Sequence, residues 1–175
     1  TEISNVTIDQ CGLGIYSWSP SATINISDCH ITNCQRISMN EIYDLETPLY
    51  GGYGIWTRSY KVSSVIENCL VENCSFGILI SQAITITQNS LINCGFMVEL
   101  SHLITALEHI LPDNMVNGKP FKIFYHEDNL KIHQRDADVY GQMMFIQCDN
   151  LDIARVSITK PCSVGLYINN IRMNP

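Results

Sequence analysis

Apolar and polar positions alternate along this chain in runs too short for a helix, and the runs return at a fixed distance. Ile66-Glu67-Asn68-Cys69-Leu70-Val71-Glu72-Asn73-Cys74 is repeated without a gap as Ile86-Thr87-Gln88-Asn89-Ser90-Leu91-Ile92-Asn93-Cys94. The frame also fits Ile26-Ser27-Asp28-Cys29-His30-Ile31-Thr32-Asn33-Cys34 and, more loosely, Ile3 through Cys11. A period of two predicts strands. A return every ~20 residues predicts units that stack on one another, because one unit alone cannot bury its apolar side. Each unit reads as strand, polar corner, strand and Gly corner. Ile8, Ile31, Val71 and Leu91 stand three residues before a Cys and are expected to point inward. Asn33, Asn73 and Asn93 directly precede the Cys, where a left-handed backbone and amide bonds passed from unit to unit are expected. Gly14, Gly77 and Gly165 follow the Cys by three, where the bend is expected to need positive φ.

Counted this way the chain holds about seven coils of roughly 20 residues in one domain, residues 1–175. The second coil is interrupted at 35–52 by a polar insertion, read as a projecting loop, and resumes at Tyr53-Gly54-Ile55-Trp56. Leu103–Leu111 fits either a short helix or a strand and turn, ended by Pro112-Asp113-Asn114. Stacked solenoids carry polar caps. Neither Thr1 nor Asn174-Pro175 lies in one, so the chain is expected to be a piece of a longer protein. Strands stacked in register about 4.8 Å apart satisfy both backbone edges and bring like residues over like. The Leu-x-x-Leu-x-Leu and Gly-Gly-x-Gly-x-Asp repeats are absent. That leaves an all-β, single-stranded parallel β-helix, a solenoid.

Composition narrows the partners. With 46% hydrophobic and 15% charged residues the chain has the makings of a packed core. A net charge of −7 with no basic block argues against nucleic acid. No run of about 18 apolar residues occurs, so no membrane insertion is expected in this segment. The eight cysteines include no Cys-x-x-Cys pair, so they do not form a zinc framework.

Three segments carry a family likeness: Asn68-Cys69-Leu70-Val71-Glu72-Asn73-Cys74-Ser75-Phe76-Gly77-Ile78, then Asn114-Met115-Val116-Asn117-Gly118-Lys119-Pro120-Phe121 before Ile123-Phe124-Tyr125, and Gly141-Gln142-Met143-Met144-Phe145-Ile146-Gln147-Cys148-Asp149-Asn150-Leu151. On these the chain resembles the right-handed parallel β-helix (pectin-lyase-like) superfamily, and within it the NosD-like branch. The likeness runs from Ile3 to Ile168; the 35–52 insertion and Cys in place of Asn at the corner depart from it. It implies an exported protein, extracellular, periplasmic or at the archaeal or bacterial cell surface. The branch includes a periplasmic factor that matures a copper enzyme, and wider relatives cut or epimerise acidic polysaccharides. Fold alone does not choose among these.

The candidate chemistry is thin. Cys11, Cys34, Cys74, Cys94 and Cys162 share one repeat position, and Cys29 and Cys69 share another. Stacked small apolar side chains are the reading preferred here. A copper(I) ladder drawing on Met97, Met143, Met144 and His30, or disulfides between coils, are the alternatives. Asp9, Asp28, Glu67 and Glu72 read as solvated surface acids, and no catalytic residue is assigned. Asp136-Ala137-Asp138 reads as a turn, not a calcium loop. No metal or cofactor is expected. Asn117, Gly118, Lys119 and Pro120 form a turn motif. Tyr43, Glu46, Tyr50, Tyr53 and Trp56, in and beside the insertion, are candidates for binding sugar, since aromatic faces stack on sugar rings and carboxylates bond hydroxyls. Asn5, Asn25 and Asn73 head Asn-x-Ser/Thr acceptors, which suit a surface protein. The expected function is a non-catalytic exported or cell-surface module, a scaffold that binds polysaccharide or another surface protein. The alternatives are an enzyme acting on polysaccharide (lyase, hydrolase or epimerase) and a maturation factor of the NosD type.

Overall fold

The computed structural model describes residues 1–35, 51–59, 61, 63–80, 84–98, 109–133, 139–156, 158 and 165–169. Within them the chain is all-β, with no helix. Three parallel sheets take up its first part. β1 (Glu2–Ser4), β4 (Asn25–Ser27), β7 (Val65–Glu67) and β10 (Thr85–Thr87) form the first. β2 (Thr7–Asp9), β5 (His30–Thr32), β8 (Leu70–Glu72) and β11 (Ser90–Ile92) belong to the second. The third holds β3 (Leu13–Ser19), β6 (Tyr53–Ser59), β9 (Phe76–Ile80) and β12 (Phe96–Val98). The chain therefore passes through the three sheets in turn four times.

Register puts like on like. Ile3, Ile26, Ile66 and Ile86 align in the first sheet, and Ile8, Ile31, Val71 and Leu91 in the second. Ile15, Ile55, Ile78 and Phe96 align in the third. All twelve belong to or pack on one apolar core. Burial of these columns drives the stack, at roughly 25 cal/mol per Å² removed from water.

The corners explain the polar punctuation. Asn5, Asp28, Asn68 and Gln88 turn the chain from the first sheet to the second, and Gln10, Asn33, Asn73 and Asn93 from the second to the third, all with φ of 50–56°. Short polar side chains tolerate this left-handed region best. The glycines behave otherwise. Gly14 and Gly77 are not among the positive-φ glycines. Crowding, not backbone angle, excludes a side chain: a Cβ on Gly14 would strike the Gly54 carbonyl oxygen, and one on Gly77 would lie 2.6 Å from Leu91 Cδ2.

The residue after the first corner is tucked inward and forms a second kind of ladder. The column runs Cys29, Cys69, Asn89, Asn114. The thiols of Cys29 and Cys69 donate to the carbonyls of Ser27 and Glu67, each at 3.2 Å. Asn89 and Asn114, 1% and 0% exposed, do more. Asn89 Nδ2 donates to the carbonyls of Ile66 and Thr87, and its Oδ1 accepts from Cys69 N at 3.0 Å. Asn114 Oδ1 accepts from both Asn89 N and Asn89 Nδ2, while its own amide donates to the carbonyls of Ile86 and Leu111.

After the fourth pass the plan changes. Ile110 makes a parallel bridge with Ile86. β13 (Met115–Val116) continues the second sheet and turns back antiparallel into β14 (Lys119–Tyr125), through Asn117 at φ 53° and Gly118 at φ 77°. Two successive positive φ values make the tight hairpin turn that Asn-Gly favours. β14, β16 (Gln142–Ile146) and β18 (Leu166–Asn169) then pair in parallel, as do β15 (Lys131–Ile132) and β17 (Asp152–Ile153). Every residue of β16 is buried. Met144 and Ile146 face the main core, whereas Met143 and Phe145 face a second one with Phe124, Ile132 and Cys148. Parallel pairing thus goes on after the hairpin as far as β18, while the fifth to seventh expected coils each include residues outside those described, as does the expected segment at Leu103–Leu111 up to 108.

Gln142 joins the two parts. Its side-chain Oε1 accepts from Phe96 N at 2.8 Å and its Nε2 donates to Phe96 O at 2.7 Å, with no solvent exposure. The amide thus pairs with the edge of β12 as another strand would. Gln142→Met, similar in volume, should cost about 2–4 kcal/mol, because two buried backbone groups lose their partner. A urea midpoint within error of wild type would show that water replaces the amide.

Candidate functional site

The outward face of the third sheet gathers the aromatic side chains. Register aligns Leu13, Tyr53 and Phe76, then Tyr16, Trp56, Leu79 and Met97, and places Trp18 beside Arg58. Tyr53, Trp56 and Leu79 form a small cluster apart from the main core, with Leu13, Phe76 and Met97 against it. Tyr53 stacks on Phe76 at 4.8 Å between ring centroids, Tyr16 tilts against Trp56 at 4.8 Å, and Arg58 Cζ lies 5.0 Å over the Trp56 ring. Tyr53 and Trp56 are consequently only 7% and 4% exposed. Neither offers the free ring face that sugar stacking requires. Tyr43, Glu46 and Tyr50 lie outside the described residues.

The open aromatic surface is one coil earlier. Tyr16 is 48% and Trp18 66% exposed. Two residues apart on one strand, they project from the same face, about 6–7 Å from each other. Sequence reasoning missed them because the insertion drew attention to its own neighbours. Yet Tyr16 and Trp18 stand at the outward positions two and four residues after Gly14, as Trp56 and Arg58 do after Gly54, so the repeat frame could have found them.

The shoulders of the insertion are fixed. Gln35 N donates to Cys11 O at 3.1 Å, and Gly52 N donates to Gly12 O. The chain leaves and rejoins the stack over adjacent residues of the coil beneath.

On the second sheet the acids spread out. Asp9 Oδ1 accepts from Thr32 Oγ1 at 2.6 Å and from Asn33 Nδ2 at 2.7 Å. Those two bonds, the Thr32 hydroxyl first, hold its carboxyl below the usual carboxylate range. Glu72 Oε2 meets His30 Nε2 at 3.0 Å instead. Register interposes Thr32 between Asp9 and Glu72, so the two carboxylates belong to different coils with a hydroxyl between them. Asp28 accepts from the Asn68 amide, and Glu67 is exposed on β7. Lys119 is exposed at the hairpin turn.

The second corner carries the sulfurs. Cys11, Cys34, Cys74 and Cys94 stack in register, with Gln35 N on Cys11 O and Ser75 N on Cys34 O. Cys11 Sγ and Cys34 Sγ are 3.2 Å apart, and Cys94 donates to Val71 O at 3.3 Å. The seven described cysteines are free thiols; Cys162 lies outside the described residues. Burial pushes the Cys11 thiol up to about 11. Cys34 is raised too, chiefly because its S–H is engaged with the Cys74 sulfur and secondly by burial. The outer Asn column runs alongside: Asn93 Nδ2 donates to Asn73 Oδ1 at 2.8 Å, Asn93 N to Asn117 Oδ1 at 2.8 Å, and Asn33 to Asp9.

Among the described residues no group of three or more His, Cys, Asp or Glu side chains is placed to hold a metal ion. Met143 and Met144 lie buried on β16, and Met97 lies against the aromatic cluster of the third sheet. Asp136-Ala137-Asp138 is outside the described residues. A shallow cleft of about 210 Å³ opens between Ile110–Pro112 and β14, lined also by Lys122 and Tyr125. No helix among the described residues is long and apolar enough to cross a membrane.

Comparison with known families matches residues 1–136 to the family described as right-handed beta helix region. No curated protein and no solved structure matches the chain.

Proposed function

Because the chain belongs to the right-handed β-helix family, we propose that it is a non-catalytic module of an exported or cell-surface protein, which holds glycan on the outward face of its third sheet. The observation that carries this reading is the pair Tyr16 and Trp18, exposed side by side beneath a packed aromatic cluster. Rigid rings on a strand bind with little loss of conformational freedom, and the Tyr16 ring is held against Trp56. The spread of the acids over separate coils supports a binding role over catalysis. The Asn-x-Ser/Thr acceptors at Asn5 and Asn25 suit export, and the motif at Asn114–Phe121 supports the NosD-like branch. A maturation role in copper delivery draws no support from the methionine positions.

The test is retention of the chain on a panel of neutral and acidic polysaccharides by affinity electrophoresis. Trp18→Ala should weaken retention at least about tenfold, and Tyr16→Ala less. Absence of retention on every glycan, or an unchanged double variant, sinks the reading.

A second reading has one observation in its favour. His30 Nε2 lies 3.0 Å from Glu72 Oε2, and Asp9 stands one coil away on the same sheet, so the second sheet brings an imidazole and carboxylates to one face. Scoring the same panel for new reducing ends or unsaturated products tests it. Cleavage lost in His30→Ala would establish an enzyme acting on polysaccharide.

A further inference from the structure

We propose that Cys11 and Cys34 are a dithiol oxidation site, whose disulfide staples the first coil to the second. Three observations converge. The sulfurs are 3.2 Å apart, inside the contact distance of two sulfur atoms. The backbone bond from Gln35 N to Cys11 O sets the two residues one above the other, a separation that a disulfide can span. Cys11 is only partly covered while Cys34 is fully buried, so one thiol meets solvent and the other stands behind it.

Closing from contact to bond length requires about 1 Å of movement.

The reaction balances with a small disulfide, such as oxidised glutathione, as oxidant. The Cys11 thiolate attacks one glutathione sulfur, the glutathione S–S bond breaks, and one glutathione thiolate leaves with a proton. Cys34 then gives up its proton, its sulfur attacks the Cys11 sulfur, and the second glutathione leaves as thiol. Two protein thiols are oxidised by two electrons and one disulfide is reduced to two thiols. Because only the thiolate attacks, and Cys11 is shifted to about 11, the first step should speed up about tenfold per pH unit through the neutral and mildly alkaline range. An oxidising compartment would keep the staple closed, and a reducing one would keep it open.

The other described thiols lack this combination. Cys29, Cys69 and Cys148 donate to backbone carbonyls and are buried, with Cys148 directed at Phe124 O and Ile146 O, each at 3.4 Å. They serve as internal controls.

The experiment is treatment of the whole chain with oxidised glutathione at pH 8.5, followed by non-reducing digestion and mass spectrometry. The expected product is one peptide pair joined through Cys11 and Cys34, two hydrogens lighter than the sum of its parts, with an unfolding midpoint raised by about 5 °C. In Cys34→Ser the reaction should halt with glutathione attached to Cys11. Glutathione retained on Cys11 in the wild type, or a first bridge between Cys34 and Cys74, overturns the proposal. So does a Cys11 that stays unmodified after complete exchange time at pH 8.5. The wild-type readout needs no variant to fold.

Discussion

Asn89→Ala should destabilise the chain by about 3 kcal/mol, read as a lowered urea midpoint at unchanged slope. The change removes the acceptor of Cys69 N, the donor to Ile66 O and Thr87 O, and one of the two donors to Asn114 Oδ1. All of this lies at a corner that water does not reach, so the groups left behind cannot turn to solvent. Asn89→Cys should cost about half as much. The same column already accepts cysteine at positions 29 and 69, where a thiol reaches the carbonyl two residues back. A cysteine variant as poor as the alanine one would mean that the amide ladder is a unit, in which no rung can be replaced once the run has begun. Combining Asn89→Ala with Asn114→Ala settles that directly, since partners in one network lose less together than the sum of their separate losses.

Gly141→Ala should be worse, more than about 3 kcal/mol, enough to disrupt the second core. The added Cβ would occupy the space of the Val116 carbonyl group, with the oxygen nearest and the carbonyl carbon 2.7 Å away. Backbone cannot step aside there. Val116 is held in register on both sides, by β11 and by the hairpin to β14. Gly118→Ala makes the contrast. Gly118 has a positive φ of 77° and open space around it, so alanine pays only the left-handed strain of about 1–2 kcal/mol. If the two variants unfold at the same urea concentration, steric exclusion at Gly141 is not what fixes the junction.

These two glycines also show how far the sequence could be read. The repeat frame located the corners, because Asn, Asp and Gln at a left-handed position and Ile at an inward one are local consequences of backbone geometry. It located the Asn117-Gly118 turn for the same reason. It misjudged the glycines after the cysteine: the frame marks where a side chain is missing, but only the neighbouring coil reveals that the missing atom would hit Gly54 O or Leu91. The change of plan after β12 was illegible for a related reason. Gln142-Met143-Met144-Phe145-Ile146 reads as one more apolar strand, and nothing local shows that both of its faces are covered. The binding residues were half legible. Aromatic side chains on the third sheet were visible, but whether a ring is open or stacked depends on neighbours distant in sequence: Tyr53 and Trp56 are covered, Tyr16 and Trp18 exposed.

The two anchors at Cys11 O and Gly12 O hold Gln35 N and Gly52 N, so both ends of the insertion are fixed to neighbouring residues of one coil. Loop closure costs rise only with the logarithm of length, about 0.6 kcal/mol per doubling. Register is set again at Tyr53 by Leu13 below and Phe76 above. The second coil thus works as a clamp one residue wide: the span it closes is set by the coil beneath, not by the length of chain between its jaws.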